Sequence, residues 1–297
     1  MDEHSFGLVP LDDTTGEPDP RMSALSRRRF ITTALASGFA LAARPVGAQT
    51  ITTDSVGLLA GAVSVPVADG TVPAYRAMPD KGGPFPTIVV VEEIFGVHEH
   101  IQDVCRRLAH LGYYAIAPEL LARQGDVSTI AEVGEIIARV ISKVPDAQVM
   151  ADLDATLAYA ASTKHADTQR AGIVGFCWGG RIVWLYSGHN PKLRAGVAFY
   201  GGLEGTKSEL KPTDPVDIAE SLRVPVLGLY AELDSGIKAP AVDRMQASLG
   251  KSASGSQIVV FPGVGHGFHA DYRPSYDRSA ATYAWKLAHD WFRDHGV

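Results

Sequence analysis

The chain has 297 residues, of which 46% are hydrophobic and 20% charged, with two cysteines and a formal net charge of −6. That length and apolar content can bury a sizeable core without disulfide or metal staples, and they exclude a chain disordered throughout. No basic run lies outside the N-terminal region, so nothing in the charge pattern points to a nucleic-acid partner.

Residues 1–48 read as an export signal with a polar extension. Met1 to Leu25 is polar and leads into Ser26-Arg27-Arg28-Arg29-Phe30, a short apolar run, and then Val46-Gly47-Ala48. Paired arginines before a weakly apolar run are the twin-arginine export pattern, and small residues at 46 and 48 fit a cleavage site. The mature chain is therefore expected to begin near Gln49 and to lie in the periplasm or outside the cell. The run from Phe30 to Ala43 is too short to cross a bilayer and carries Thr32, Thr33 and Ser37, so no membrane span is expected in the mature chain. A cytoplasmic amphipathic helix and an uncleaved anchor are the other readings of this run.

From Gln49 onward, short apolar runs alternate with helical stretches. Residues 62–79 look like a hairpin around Asp69-Gly70, and "FPTIVVVEEIFG" (85–96) is a strand too continuously apolar for one-sided exposure. In "HIQDVCRRLAHLGYYAIAP", Ile101, Val104, Cys105, Leu108 and Leu111 recur at helical spacing, which makes Cys105 a core-facing helix residue. The strand "YYAIAPEL" follows, then helical stretches near 129–142 and 146–163. "RAGIVGFCWGG" runs from strand into a glycine turn and the helix "RIVWLYSG". Three further strands lie in "AGVAFYGG", "VPVLGLYAELD" and "QIVVFPGVGHG", and an amphipathic helix closes the chain. This alternation predicts a single α/β domain over 49–297, a mainly parallel sheet with helices on both faces.

Functional residues of such sheets gather past the C-terminal ends of the strands. Four strand ends here carry chemistry: Glu92-Glu93, Cys177, Asp234 and His266. Nucleophile, acid, histidine is also the chain order of α/β-hydrolases. Gly175-Phe176-Cys177-Trp178-Gly179 is G-x-C-x-G, a nucleophile elbow with sulfur in place of hydroxyl. It could equally be a glycine-rich strand-to-helix turn with an inert thiol. His266, on a glycine-bounded loop after the last strand, stands where a general base belongs. His98/His100 and His266/His269 could instead suggest a metal, but neither pair has a recognisable ligand spacing, and no metal is expected. Asp234 would orient the imidazole, although Asp-Ser-Gly is also good turn chemistry. Asp214 and Asp217 are rivals that lie in a polar loop before the strand. Glu93 falls where the first oxyanion-hole amide should be, with the Ile94 and Trp178 backbone N–H groups as the candidate donors. A carboxylate this close would accept the thiol's proton or hydrogen bond. Glu92, on the other face of the strand, reads as structural.

The segments "EEIFGVHEHIQDVCRRLAHLGYYAIAPEL", "GIVGFCWGG", "LYAELDSGI" and "GVGHGFH" together resemble the dienelactone hydrolase family, α/β-hydrolases with a Cys-Asp-His triad, over roughly residues 60–293. The resemblance implies Cys177 as nucleophile, Asp234 as orienting acid, His266 as base, and Glu93 as the carboxylate that restrains the resting cysteine. It also implies the Ile94 and Trp178 amides as oxyanion hole, no metal or organic cofactor, and a small ester or lactone substrate opened through an acyl-thioester. Two positions depart from the pattern. Where the family has a carboxylate-binding arginine shortly after the histidine, this chain has Ala270, and the nearest arginine is Arg273. The helical stretch that supplies a second arginine offers Arg139. These two are the candidate substrate contacts. A monomer is expected. The alternatives are the same fold acting on another acyl group or on an ester without a carboxylate, and a non-catalytic binding protein built on the hydrolase fold.

Overall fold

The computed structural model describes residues 50–297. The export signal and the start near Gln49 lie outside the described residues. The described chain belongs to one compact unit and is built around a sheet of eight strands: β1 (Leu58–Val67), β2 (Gly70–Pro79), β3 (Phe85–Val91), β4 (Tyr114–Pro118), β5 (Ala166–Phe176), β6 (Ala195–Phe199), β7 (Val226–Ala231) and β8 (Gln257–Phe261). Their spatial order is β1-β2-β4-β3-β5-β6-β7-β8. β1 pairs antiparallel with β2 and β2 with β4, and every pairing from β4 to β8 is parallel. This is the α/β-hydrolase arrangement.

The hairpin turns at Ala68-Asp69, with Val67 opposite Gly70. Gly70 takes φ 146°, a region where a Cβ would be strained. Four consecutive residues of β3, Ile88 to Val91, are fully buried, as is all of β4, β6 and β7. Consecutive strand residues point to opposite faces, so both faces of the central sheet are covered.

The helices are α1 (Glu99–His110), α2 (Val133–Arg139), α3 (Asp146–Ser162), α4 (Trp178–His189), α5 (Pro215–Ile218), α6 (Ala239–Leu249) and α7 (Arg278–Asp294). α1 buries Ile101, Val104, Cys105 and Leu108, as their spacing predicts, but Leu111, the fifth residue of that spacing, caps the helix end and is exposed. α7 starts at Asp277, whose side chain accepts from the Ala280 amide, and seats Phe292 over Gly172 of β5, where a Cβ would lie 2.7 Å from the ring.

The helix expected over 129–142 is shorter in the structure. Only residues 133–139 are α-helical, flanked by 3₁₀ turns at Val127–Thr129 and Ile141–Lys143. Ile136 is buried on α2, and Ile130, Val140, Ile141 and Val144 are buried in the segments that flank it. The β-branched run around Val140 and Ile141 makes the break in the helix cheap.

Candidate active site

The register of the sheet brings the four chemical strand ends together. Val91 of β3 lies opposite Gly175 of β5, so Glu93 and Cys177 each stand two residues past a shared rung, with Ile94 and Trp178 one further. On the other side Ala231 of β7 lies opposite Phe261 of β8, and Asp234 and His266 follow those two strands.

Cys177 sits in a strained elbow with φ 55° and ψ −114°. Four glycines make that turn possible. A Cβ on Gly175 would lie 2.4 Å from the Gly179 carbonyl oxygen, and one on Gly179 would lie 2.5 Å from those of Val91 and Glu92. Gly180 and Gly201 are as tight, at 2.5 Å from Phe199 O and 2.2 Å from Gly180 C. α4 therefore starts against the ends of β3 and β6, and Cys177, half-buried, stands at its N-cap. The Trp178 amide, in the first turn of α4, has no carbonyl within its own helix to bond.

Asp234 satisfies both of its readings at once. Its Oδ1 accepts from the Gly236 and Ile237 amides at 2.8 and 3.1 Å, closing the turn after β7. Its Oδ2 lies 2.7 Å from His266 Nδ1. Asp214 and Asp217 are occupied elsewhere, as a reciprocal capping box at the start of α5. With Nδ1 taken by Asp234, His266 Nε2 is the atom left for Cys177. Burial opposes a charge on His266, but Cys177, acting by charge and hydrogen bonding, and Asp234 outweigh it and raise the imidazole pKa to about 10.

Glu93 is fully buried, but no hydrogen bond joins it to Cys177 among the described residues. Its Oε2 accepts from the Tyr272 hydroxyl at 2.5 Å and lies 3.6 Å from His98 Nε2, while Oε1 is 3.8 Å from Arg273 Nη2. Burial alone would push this carboxyl up, yet Arg273, His98 and His100 hold it well below the usual carboxylate range. Glu92 points the other way and accepts from the Leu121 amide. Burial and the neighbouring Glu119 raise its pKa well above the ordinary carboxyl value.

Arg273 is brought to this cluster, 6% exposed, with its guanidinium 5.0 Å from the Phe95 ring centroid. Arg139 is not. It lies on an exposed face of α2 and pairs with Glu135 one turn away. The two histidine pairs separate as well. His98 turns to Glu93, His100 to Asp271, His266 to Asp234, and His269 is buried against Phe176, Phe199 and Trp285. Among the described residues no cluster of three or more His, Cys, Asp or Glu side chains is arranged to hold a metal ion, and no helix is long and apolar enough to cross a membrane.

Three residues at the site escape sequence reasoning. Tyr272 holds Glu93. Tyr200, at φ 37° after β6, is fully buried with its ring 5.1 Å from that of His266. Gly201 follows it. The Tyr-Gly-Gly at the end of a strand was the one signal available, and it reads as an ordinary turn.

The profile of the dienelactone hydrolase family matches residues 72–296. The chain belongs to the dienelactone hydrolase family. It is 60% identical over 276 residues to the "Putative carboxymethylenebutenolidase" of Methylorubrum extorquens, covering 93% of this chain and 95% of that one. It is 47% identical over 261 residues to the protein of the same name in Escherichia coli K12, covering 88% and 96%. The crystal structure titled "Putative Dienelactone Hydrolase" from Klebsiella pneumoniae superimposes with a TM-score of 0.78 at 49% identity, over 80% of this chain and 98% of that one. The thermophilic carboxylesterase EstE1, at 18% identity and a TM-score of 0.62, shares the fold over 91% of this chain and 97% of its own. Within the dienelactone hydrolase family this chain is thus an ester or lactone hydrolase of the α/β-hydrolase superfamily.

Proposed function

We propose that the protein hydrolyses a lactone or carboxylic ester through an acyl-thioester on Cys177. The observation that carries this reading is the single line from Asp234 through His266 to a cysteine in a strained elbow. The Cys177 sulfur attacks the substrate carbonyl, and His266 holds the thiol proton. The Ile94 and Trp178 amides are the donors proposed for the tetrahedral oxyanion, where such donors contribute roughly 10²–10³ in rate. As the intermediate collapses, the carbon–oxygen bond breaks and His266 returns the proton to the leaving alkoxide. Water then attacks the thioester with its proton passing to His266, and release of the acid regenerates the thiol.

Arg273 is the candidate contact for a substrate carboxylate, such as the relatives' names suggest. One observation favours an uncharged ester instead: the guanidinium already faces the Glu93 anion, so a second carboxylate would have to share it. Arg139, exposed and paired with Glu135, has no support as a clamp. We also propose that the chain is exported, a reading carried by the three arginines at residues 27–29 and the small residues at 46 and 48, and that it acts as a monomer without a cofactor. The N-terminal sequence of protein recovered from the periplasm tests the export.

The test of the reaction measures turnover of p-nitrophenyl acetate and of dienelactone by the native protein and by Cys177→Ala. Native turnover that vanishes in the variant is expected. Equal turnover by both would overturn the assignment of the nucleophile. Turnover of the simple ester but not the lactone acid selects the uncharged substrate class.

A further inference from the structure

The segment after His266 continues His269-Ala270-Asp271-Tyr272-Arg273, and all five residues are buried. It is tied down on three sides. Asp271 pairs with His100 Nδ1 at 3.1 Å and accepts from Arg107 Nη2 at 2.6 Å, both on α1. The Tyr272 ring packs on His98 and His100, with centroids 4.9 and 5.3 Å apart. The Arg273 carbonyl accepts from the Tyr276 amide at 3.1 Å.

Held in this way, the Tyr272 hydroxyl donates to Glu93 Oε2 at 2.5 Å and accepts from Arg273 Nε at 3.3 Å. A hydroxyl on a carboxylate in a dry site is one of the stronger hydrogen bonds a protein makes. Turning Glu93 toward Cys177 would break it and leave a buried phenol unpaired, which is costly. The groups facing Glu93 are Tyr272 and Arg273 from this segment, His98 from the β3–α1 loop, His100 from α1, Tyr200 from the end of β6, and Cys177 beyond them.

We propose that Tyr272 is a positioning residue of the hydrolytic site: it holds Glu93 as an anion on Arg273 and away from Cys177, leaving the sulfur to His266. Its catalytic consequence rests on the reading of Cys177 as nucleophile, but the partner of Glu93 can be measured separately. A carboxylate that reaches the thiol accepts its hydrogen bond and opposes the thiolate, so releasing Glu93 quiets the sulfur.

The experiment follows the alkylation rate of Cys177 by iodoacetamide against pH in four full-length proteins: native, Tyr272→Phe, Glu93→Gln and the double variant. Alkylation reports the thiolate whether or not Cys177 carries hydrolysis, and the Cys177→Ala turnover test stands apart from it. Cys105 is fully buried with its thiol pushed up by burial, so it does not blur the readout. In the Glu93 background Tyr272→Phe slows alkylation at neutral pH by roughly tenfold, a displacement of the profile by about one pH unit. In the Glu93→Gln background the same change alters the rate by less than about twofold, because the group it acts through is gone. An unchanged rate in Tyr272→Phe, or an equal loss in both backgrounds, would overturn the proposal. Should Tyr272→Phe not fold, the infrared difference between native and Glu93→Gln protein decides. It carries a carboxylate band and no protonated-carboxyl band down to about pH 4, the ordinary glutamate midpoint. A protonated band at neutral pH sinks the idea.

Discussion

Replacing Gly179 by alanine tests how the elbow is built. A Cβ there would stand 2.5 Å from the carbonyl oxygens of Val91 and Glu92 and 2.9 Å from the Val91 carbonyl carbon. Ordinary contact begins near 3.4 Å, so the approach is about 0.9 Å too close, and the atoms it meets are backbone that cannot rotate away. Either the start of α4 lifts or the end of β3 retreats. Trp178 rides on the first and Ile94 on the second, so both proposed oxyanion donors are disturbed. Overpacking of this kind costs about 1–3 kcal/mol, which at roughly 2–4 °C per kcal/mol lowers Tm by about 2–12 °C. A displacement near 1 Å also costs roughly 10²-fold in rate. The assay pairs a thermal melt with kcat/KM for p-nitrophenyl acetate. Gly134→Ala is the matched control, since nothing lies within 4 Å of a Cβ at that helical position; it should gain up to about 1 kcal/mol with activity intact. A Gly179→Ala protein within about 1 °C and twofold of native values would refute the reasoning, because Tm and rate respond together to this displacement.

Three further outcomes follow from the charges and burial at the site. Cys177 and Asp234 raise the His266 pKa to about 10, and Cys177→Ala removes the first of these groups, so the imidazole midpoint followed by NMR should fall by a unit or more. Asp234→Asn removes the other. Loss of an anion lowers a histidine pKa, so the alkaline limb of kcat/KM, where His266 can no longer protonate the leaving alkoxide, should move to lower pH as the rate falls. Native protein treated with iodoacetamide should carry one label by mass spectrometry, on Cys177, and two after unfolding, because Cys105 is sealed in the core face of α1.

The elbow and the buried strands were legible because most of their causes are local. Gly175 is a glycine since the Gly179 carbonyl oxygen, four residues on, passes 2.4 Å from where a side chain would start, whereas the constraint on Gly179 comes from β3 and was legible only through the spacing of the elbow motif. The buried runs of β3 and β7 are legible for the same reason, since a strand covered on both faces must be apolar throughout. Tyr272 was not legible, because its role exists only once residue 272 meets residue 93, 179 positions away. The pair His98 and His100 is divided by the structure. Two residues apart where the chain enters α1, they suggest one shared ligand, but the helix turns them toward different acids, Glu93 and Asp271.

Asp234 carries the argument further. Turn residue and histidine partner looked like rival readings, and the structure assigns one oxygen to each. Because Oδ1 is fixed by the Gly236 and Ile237 amides, the carboxylate is held independently of His266, and Oδ2 is left pointing at Nδ1. The turn is what aims the acid. Tyr272 stands in the same relation to Glu93: the Asp271 clasp on α1 fixes the segment, and the hydroxyl then has the carboxylate of Glu93 in front of it. At both positions a contact that serves the fold determines the direction of a charge, so removing the structural half of either pair should alter the ionisation at the site before it alters the stability of the sheet.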